Sequence, residues 1–245
     1  MRRLGLLGKN IEYSFSRGYF TKKFTAENLA FRYENFDLES ISQFPELIKS
    51  NPDIVAMNVT IPYKEQVMPY LDEIDAEATK IGAVNTISIS ENGHLKGYNT
   101  DYHGFKTAIS PLLKPHHKNA LILGTGGASK AIAHALKTMH IAFDYVSRTK
   151  KQGVAYTYDQ LDDLIIERYQ IIINCTPIGT FPKIEACPDI PYQALNAEHL
   201  LFDLIYNPSE TEFLRLGKAQ GATTCNGYAM LEYQAEKAWE IWALV

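Results

Sequence analysis

A chain of 245 residues is too long for one small core and too short for three domains, given about 150 residues per domain. Apolar residues make up 46% and charged residues 21%, a mixture that excludes a disordered or fibrous chain. Twenty-four Lys and Arg against 28 Asp and Glu leave a net charge of −4, which argues against nucleic acid or an anionic membrane as the main partner.

The first hundred residues alternate short apolar runs with helical periodicity. Strands are predicted over 3–8, 31–36 and 54–59, and helices over 16–28, 41–51, 64–71 and 75–81. Residues 84–90 and 95–98 read as a hairpin around Asn92-Gly93, a strong two-residue turn signal. A second series follows the polar break at 114–118. It predicts strands over 119–123, 143–147, 170–174, 200–204 and 223–225, and helices over 128–140, 158–164 and 210–220. A terminal helix over 230–244 carries Leu231, Ala235, Ala238, Trp239 and Trp242 on one stripe. Strands alternating with helices imply βαβ units and mostly parallel sheets.

No apolar run approaches the ~20 residues that span a bilayer, and the basic start is too short for a signal segment. Cys175, Cys187 and Cys225 form no CxxC pair, and the seven histidines include no HExxH. No disulfide framework and no metal site are expected, and a cytoplasmic protein is.

The turn Gly124-Thr125-Gly126-Gly127-Ala128-Ser129 directly follows the strand at 119–123 and opens the next helix. In a dinucleotide-binding turn Gly124 makes the tight bend and Gly126 lets backbone approach a pyrophosphate. Ser129 takes the small position that packs helix on strand, and the helix-start amides face the phosphates. An NAD site would carry an acid at the end of the second strand, about 20 residues on. Here Ser147, 23 positions beyond Gly124, is followed by Arg148-Thr149-Lys150-Lys151. A guanidinium with ammonium neighbours suits a 2′-phosphate, so NADP is the expected cofactor.

Further segments bear a family likeness. Ser14-Phe15-Ser16, Asn58-Val59-Thr60-Ile61-Pro62-Tyr63-Lys64, Gly82-Ala83-Val84-Asn85-Thr86 and Gly97-Tyr98-Asn99-Thr100-Asp101 resemble the signature segments of shikimate dehydrogenases. So do the glycine turn, Ser147-Arg148-Thr149, Asn174-Cys175-Thr176-Pro177 and the closing Asn226-Gly227-Tyr228-Ala229-Met230-Leu231 through Gln234, all in the same order. The departures are Arg17 where the family usually has proline, Thr125 for alanine, and Ser147 and Gln152 in the second-strand motif.

The resemblance implies two α/β domains. Residues 1–104, completed by a returning C-terminal helix at 228–245, would be the substrate domain with a mostly parallel sheet. Residues 105–227 would be a Rossmann-type NADP domain. The implied reaction is NADPH-dependent reduction of 3-dehydroshikimate to shikimate, on the route to chorismate and the aromatic amino acids. Lys64 and Asp101 resemble the catalytic pair. Lysine donates a proton to an alkoxide when burial lowers its pKa, and a neighbouring carboxylate pulls the other way.

By the same likeness Ser14 and Ser16, with Tyr206, hold the substrate carboxylate, although a serine pair ahead of a helix also serves as an N-cap. Asn58, Thr60, Asn85, Asp101 and Gln234 supply groups for the ring hydroxyls. Thr176, Leu204 and Gly227 join Gly124 to Ser129, Ser147, Arg148, Thr149 and Lys151 around the cofactor. The expected partner is that small molecule alone, bound by a monomer or homodimer. Rival readings are a broader quinate/shikimate dehydrogenase and a non-catalytic NADP-sensing module. A glutamyl-tRNA reductase is excluded because its chemistry needs an early cysteine, and the first here is Cys175.

Overall fold

The computed structural model describes residues 2–12 and 14–243. The last predicted position of the terminal helix, Leu244, lies outside them. The chain divides into two compact units, residues 1–100 with 235–245 and residues 101–234. Among the described residues no helix is long and apolar enough to cross a membrane.

In the first unit the chain runs β1 (Arg2–Gly8), α1 (Phe15–Ala26), β2 (Phe31–Asp37), α2 (Phe44–Ser50), β3 (Ile54–Val59), β4 (Glu73–Ile74), α3 (Ala76–Ile81), β5 (Thr86–Ile89) and β6 (Leu95–Tyr98). The sheet order is β2-β1-β3-β5-β6-β4. β1 pairs in parallel with β2 and β3, β5 is antiparallel to β3 and β6, and β4 is parallel to β6. The alternation of β1 sends Leu4 and Leu6 into one core and Leu7 into the other. The first core holds Phe20 and Phe24 of α1 and Ala235, Ala238 and Trp242 of the terminal helix. Lys23 clamps α1 to that helix, its Nζ lying 3.0 Å from Glu236 Oε2. The predicted hairpin forms, with Gly93 in the left-handed region at φ +81°.

The second unit carries α4 (Asp101–Ile109), β7 (Asn119–Leu123), α5 (Gly127–Thr138), β8 (Ala142–Ser147), β9 (Tyr156–Thr157), α6 (Asp163–Glu167), β10 (Ile171–Asn174), β11 (Leu200–Asp203), α7 (Glu212–Ala219), β12 (Thr223–Cys225) and the first turns of α8 (Tyr228–Ala243). Its strands lie in the order β12-β11-β10-β7-β8-β9 and pair in parallel throughout. Counted within the unit this is the doubly wound 3-2-1-4-5-6 order, whose direction of winding reverses between β7 and β10. Apolar clusters cover both faces, so the central strands are buried along their length.

Three local expectations differ from the structure. The helix predicted over 64–71 is a run of turns ending in a 3₁₀ turn, Met68–Tyr70. Pro69 lacks an N–H and its ring blocks the helical carbonyl four residues back. The helix predicted over 158–164 breaks in two, because Asp162 caps a new helix by accepting from Ile165 N–H at 2.8 Å. Finally, α4 has no counterpart in the predicted elements. Its buried face includes Asp101 and Gly104 beside Phe105, Ala108 and Ile109, which interrupts the apolar periodicity.

Candidate functional site

In the first unit the candidate substrate residues surround the ends of β3 and β5. Ser14 is the N-cap of α1, its Oγ accepting from Arg17 N–H at 3.2 Å. That acceptor role leaves the hydroxyl proton to be donated elsewhere. Ser16, two positions on, hydrogen-bonds the phenol of Tyr33. Burial pushes the Tyr33 hydroxyl far above its ordinary pKa, opposed only by the Ser16 bond, so the phenol stays a donor. It gives its proton to Asn58 Oδ1 at 2.6 Å.

Asn58 passes the network on, its Nδ2 lying 3.3 Å from both Asn85 O and Thr86 Oγ1. Asn85 Oδ1 accepts from Thr100 N–H at 2.7 Å and from the Thr86 hydroxyl at 3.0 Å. Asn85 Nδ2 donates to Thr100 Oγ1 at 3.0 Å. Asn58 and Asn85 are 3% exposed and Thr86 and Thr100 not at all, so these groups are fixed by one another rather than by solvent. Lys64 sits in the turn after β3, not in the helix expected there, and its carbonyl accepts from Val84 N–H at 2.7 Å. Thr60 begins that turn, with its N–H bonded to Leu7 O and its carbonyl to Tyr63 N–H.

Tyr33, Thr86 and Thr100 belong to this network but not to the residues the sequence singled out. Thr86 and Thr100 lie inside quoted segments; Tyr33 carries no local signal.

In the second unit Asp101 opens α4 and is buried. Gly104, one turn later on the same face, lets α4 approach α8 closely. A Cβ there would stand 2.5 Å from Met230 O and 3.0 Å from Gln234 Cβ. Asp101 and Gln234 thus lie on adjoining helix faces. Tyr206 follows β11, and burial raises its phenol pKa.

The glycine turn lies at the C-terminal edge of the sheet, where winding reverses. Gly124 adopts φ +99°, a left-handed conformation that favours glycine. A Cβ at Gly124 would come within 2.9 Å of Thr176 Cγ2, which places the turn against the loop after β10. A Cβ at Gly126, the N-cap of α5, would meet nothing within 4 Å, leaving the space a pyrophosphate requires. Gly127 and Ala128 begin α5 with no acid in its first turn, and buried Ser129 donates from Oγ to Gly126 O at 2.7 Å.

Register sets Leu123 beside Val146, so Gly124 neighbours Ser147. Beyond β8, Arg148 and Thr149 are exposed, and Lys151 Nζ reaches Thr125 Oγ1 at 2.5 Å. Lys150 instead donates to Ala155 O at 2.9 Å. Open space over the N-terminus of α5, an exposed cationic rim and no acid at that rim together fit NADP.

Thr176, Leu204 and Gly227 gather where β10 and β11 end. Thr176 donates from N and Oγ1 to Asn174 Oδ1 at 3.0 and 2.6 Å. Leu204 N–H bonds Asn174 O at 3.0 Å, and Gly227 N–H bonds Ile205 O at 3.0 Å. A Cβ on Gly227 would overlap Leu204 O at 2.2 Å. Below them, burial pushes the Asp203 carboxyl up to about 6, against hydrogen bonds from Thr211, Ile205 N–H and Asn174 that lower it.

A doubly wound parallel sheet with a glycine turn at its switch point and a cationic second-strand rim defines a class, the α/β oxidoreductases that bind a phosphorylated dinucleotide. Comparison with known proteins narrows the class. A family profile, the shikimate dehydrogenase substrate binding domain, matches residues 6–87. The NADP-dependent shikimate dehydrogenase of Methanosphaera stadtmanae is 39% identical, over 97% of this chain and 89% of its own. Among solved structures, the Thermus thermophilus shikimate 5-dehydrogenase in complex with NADP(H) and shikimate covers 100% of this chain and 94% of its own, with a TM-score of 0.88 at 29% identity. A quinate dehydrogenase from Corynebacterium glutamicum in complex with NAD covers 100% and 94%, with a TM-score of 0.87 at 26% identity. The chain belongs to the family of NADP-dependent shikimate dehydrogenases.

Proposed function

We propose that the protein catalyses the reversible reduction of 3-dehydroshikimate to shikimate with NADPH. The observation that carries this reading is the buried set of amides and hydroxyls around Asn85, in one chain with an acid-free dinucleotide turn. A ring bearing several hydroxyls needs directional donors and acceptors already fixed in place. Asn58, Thr60 and Asn85 meet those hydroxyls, joined by Asp101 and Gln234, and Ser14, Ser16 and Tyr206 take the carboxylate.

When bound, NADPH supplies the hydride that the ketone carbon accepts. Lys64 donates a proton from its ammonium to the developing alkoxide and regains one from solvent, which completes the alcohol. Asp101, as a carboxylate, accepts a hydrogen bond from a ring hydroxyl and fixes the ring's orientation. Gly124, Thr125, Gly126, Gly127, Ala128 and Ser129 hold the pyrophosphate, and Ser147, Arg148, Thr149 and Lys151 hold the 2′-phosphate. Thr176, Leu204 and Gly227 border the nicotinamide.

We assign the substrate half to 1–104 with 228–245 and the NADP half to 105–227. The compact units part at 100/101 and 234/235, so Asp101 and Gln234 stand where the chain passes from one to the other. Three unpaired cysteines suit the cytoplasm, and the assembly is a monomer or homodimer.

The test is oxidation of shikimate with NADP+ and with NAD+, followed at the nicotinamide absorbance band and repeated with quinate. Turnover with shikimate, and a much lower KM for NADP+ than for NAD+, is expected. Equal turnover of quinate would move the protein to the broader dehydrogenases, and no turnover of either acid would leave a dinucleotide-binding module.

A further inference from the structure

Asp203 ends β11 buried from solvent, and neither of its carboxylate oxygens points at open space. Oδ1 accepts from Asn174 Nδ2–H at 3.0 Å and from Ile205 N–H at 3.0 Å. Oδ2 accepts the Thr211 hydroxyl at 2.6 Å, and Thr211 in turn caps α7. A buried carboxylate is costly unless its lone pairs are occupied, and here three donors converge on it.

The bond to Asn174 decides which way that amide faces. Asn174 Oδ1 takes both donors of Thr176, its N–H and its hydroxyl, while Nδ2 lies between Asp203 Oδ1 and Ile178 O at 3.0 and 3.3 Å. Acceptors on one side and donors on the other permit a single orientation. Remove the carboxylate and Nδ2 loses an acceptor, so the constraint on Thr176 weakens. The second bond acts on the other loop. Ile205 N–H on Oδ1 fixes the peptide following Leu204, and Ile205 O receives Gly227 N–H at 3.0 Å.

We propose that Asp203 is the positioning residue for the nicotinamide end of the cofactor site, holding Thr176 through Asn174 and Leu204 and Gly227 through Ile205. It touches neither cofactor nor substrate and acts through these neighbours. The inference rests on the NADP-dependent reading above.

The test compares Asp203→Ala, Asp203→Asn and Thr211→Val with the unaltered full chain. The measurements are the NADPH dissociation constant by fluorescence titration, Tm without ligand, and KM for both substrates. Asp203→Ala should raise the NADPH dissociation constant about tenfold or more, with KM for shikimate changed less than about twofold. Asp203→Asn should restore binding to within about threefold, because its Oδ1 keeps both loop donors and its Nδ2 donates to the Thr211 hydroxyl. Thr211→Val, which removes the bond to Asp203 Oδ2 and the cap on Leu214 N–H but leaves both loop donors on Oδ1, should lower Tm yet leave the NADPH dissociation constant unchanged. Should Asp203→Ala not fold, Asp203→Ser carries the same expectation, since its single hydroxyl cannot reach both loops. NADPH binding by folded Asp203→Ala at the unaltered level would overturn the proposal. So would an equal loss in Asp203→Asn, or a Thr211→Val that weakens binding as much as Asp203→Ala. An unaltered chain that binds NADPH but turns over no shikimate would sink the proposed reaction instead, leaving the binding comparison to decide on Asp203.

Discussion

The candidate sites of the two units are built by opposite means. In the first, Asn58, Asn85, Thr86 and Thr100 are buried side chains whose orientations are set by one another. In the second, the glycine turn offers backbone and open space, and its cations, Arg148 and Lys151, project from an exposed rim. The difference follows from the ligands each would take. A hydroxylated ring is neutral over most of its surface and is told from its relatives only by directional bonds, which demand a prebuilt, desolvated lattice. A phosphate carries enough charge to be met by amide dipoles and mobile ammonium or guanidinium groups.

The sharpest way to break this division of labour is at Lys64, assigned to chemistry in the unit that makes directional contacts. Lys64→Ala should lower kcat by a factor on the order of 10²–10⁴, the usual loss of a general acid. The NADPH dissociation constant should be unchanged. Unaltered turnover would remove Lys64 from the reaction, and weakened cofactor binding would show that the two units do not act separately.

The next effect falls on the exposed rim. Arg148→Ala should raise KM for NADPH about tenfold and leave KM for NADH alone, since only the 2′-phosphate distinguishes them. The discrimination should also shrink as salt is added, because exposed charges are screened within about 10 Å at 0.1 M. Lys150→Ala serves as the internal comparison, as its ammonium is occupied by Ala155 O and not by the glycine turn. Equal losses for NADPH and NADH in Arg148→Ala would mean that the guanidinium supports the loop and not the phosphate.

How far each region could be read in the sequence follows the same divide. The dinucleotide turn is local: strand, glycines, helix and the basic tip of the next strand fall within one short stretch, and their types alone carry the chemistry. The buried lattice proposed to meet the substrate is assembled from β2, β3, β5 and the segment after β6, across separations of 14 to 28 residues. Its members Asn58 and Asn85 lie in segments that carry the family likeness, whereas Tyr33 does not, and a tyrosine in an amphipathic strand looks like core. Asp203 escaped for a related reason, as an acid closing an apolar strand resembles a loop residue until its three donors are seen. The surroundings of Lys64 misread as a helix because apolar spacing outweighed Pro69.

The smallest expected effect tests whether the lattice must be prebuilt at all. Tyr33 is stacked on Phe20 with ring centroids 4.8 Å apart, so Tyr33→Phe keeps the packing and removes only the hydroxyl. Asn58 Oδ1 then loses its 2.6 Å donor in a buried position, which costs about 1–3 kcal/mol and should appear as a lower Tm. If preorganisation matters, Asn58 also becomes free to turn, and KM for shikimate should rise severalfold while KM for NADPH stays put. A Tm loss with both KM values unchanged would assign Tyr33 to the core alone. The lattice would then tolerate reorientation of Asn58, and the contrast with the exposed cationic rim would rest on Asn85, Thr86 and Thr100.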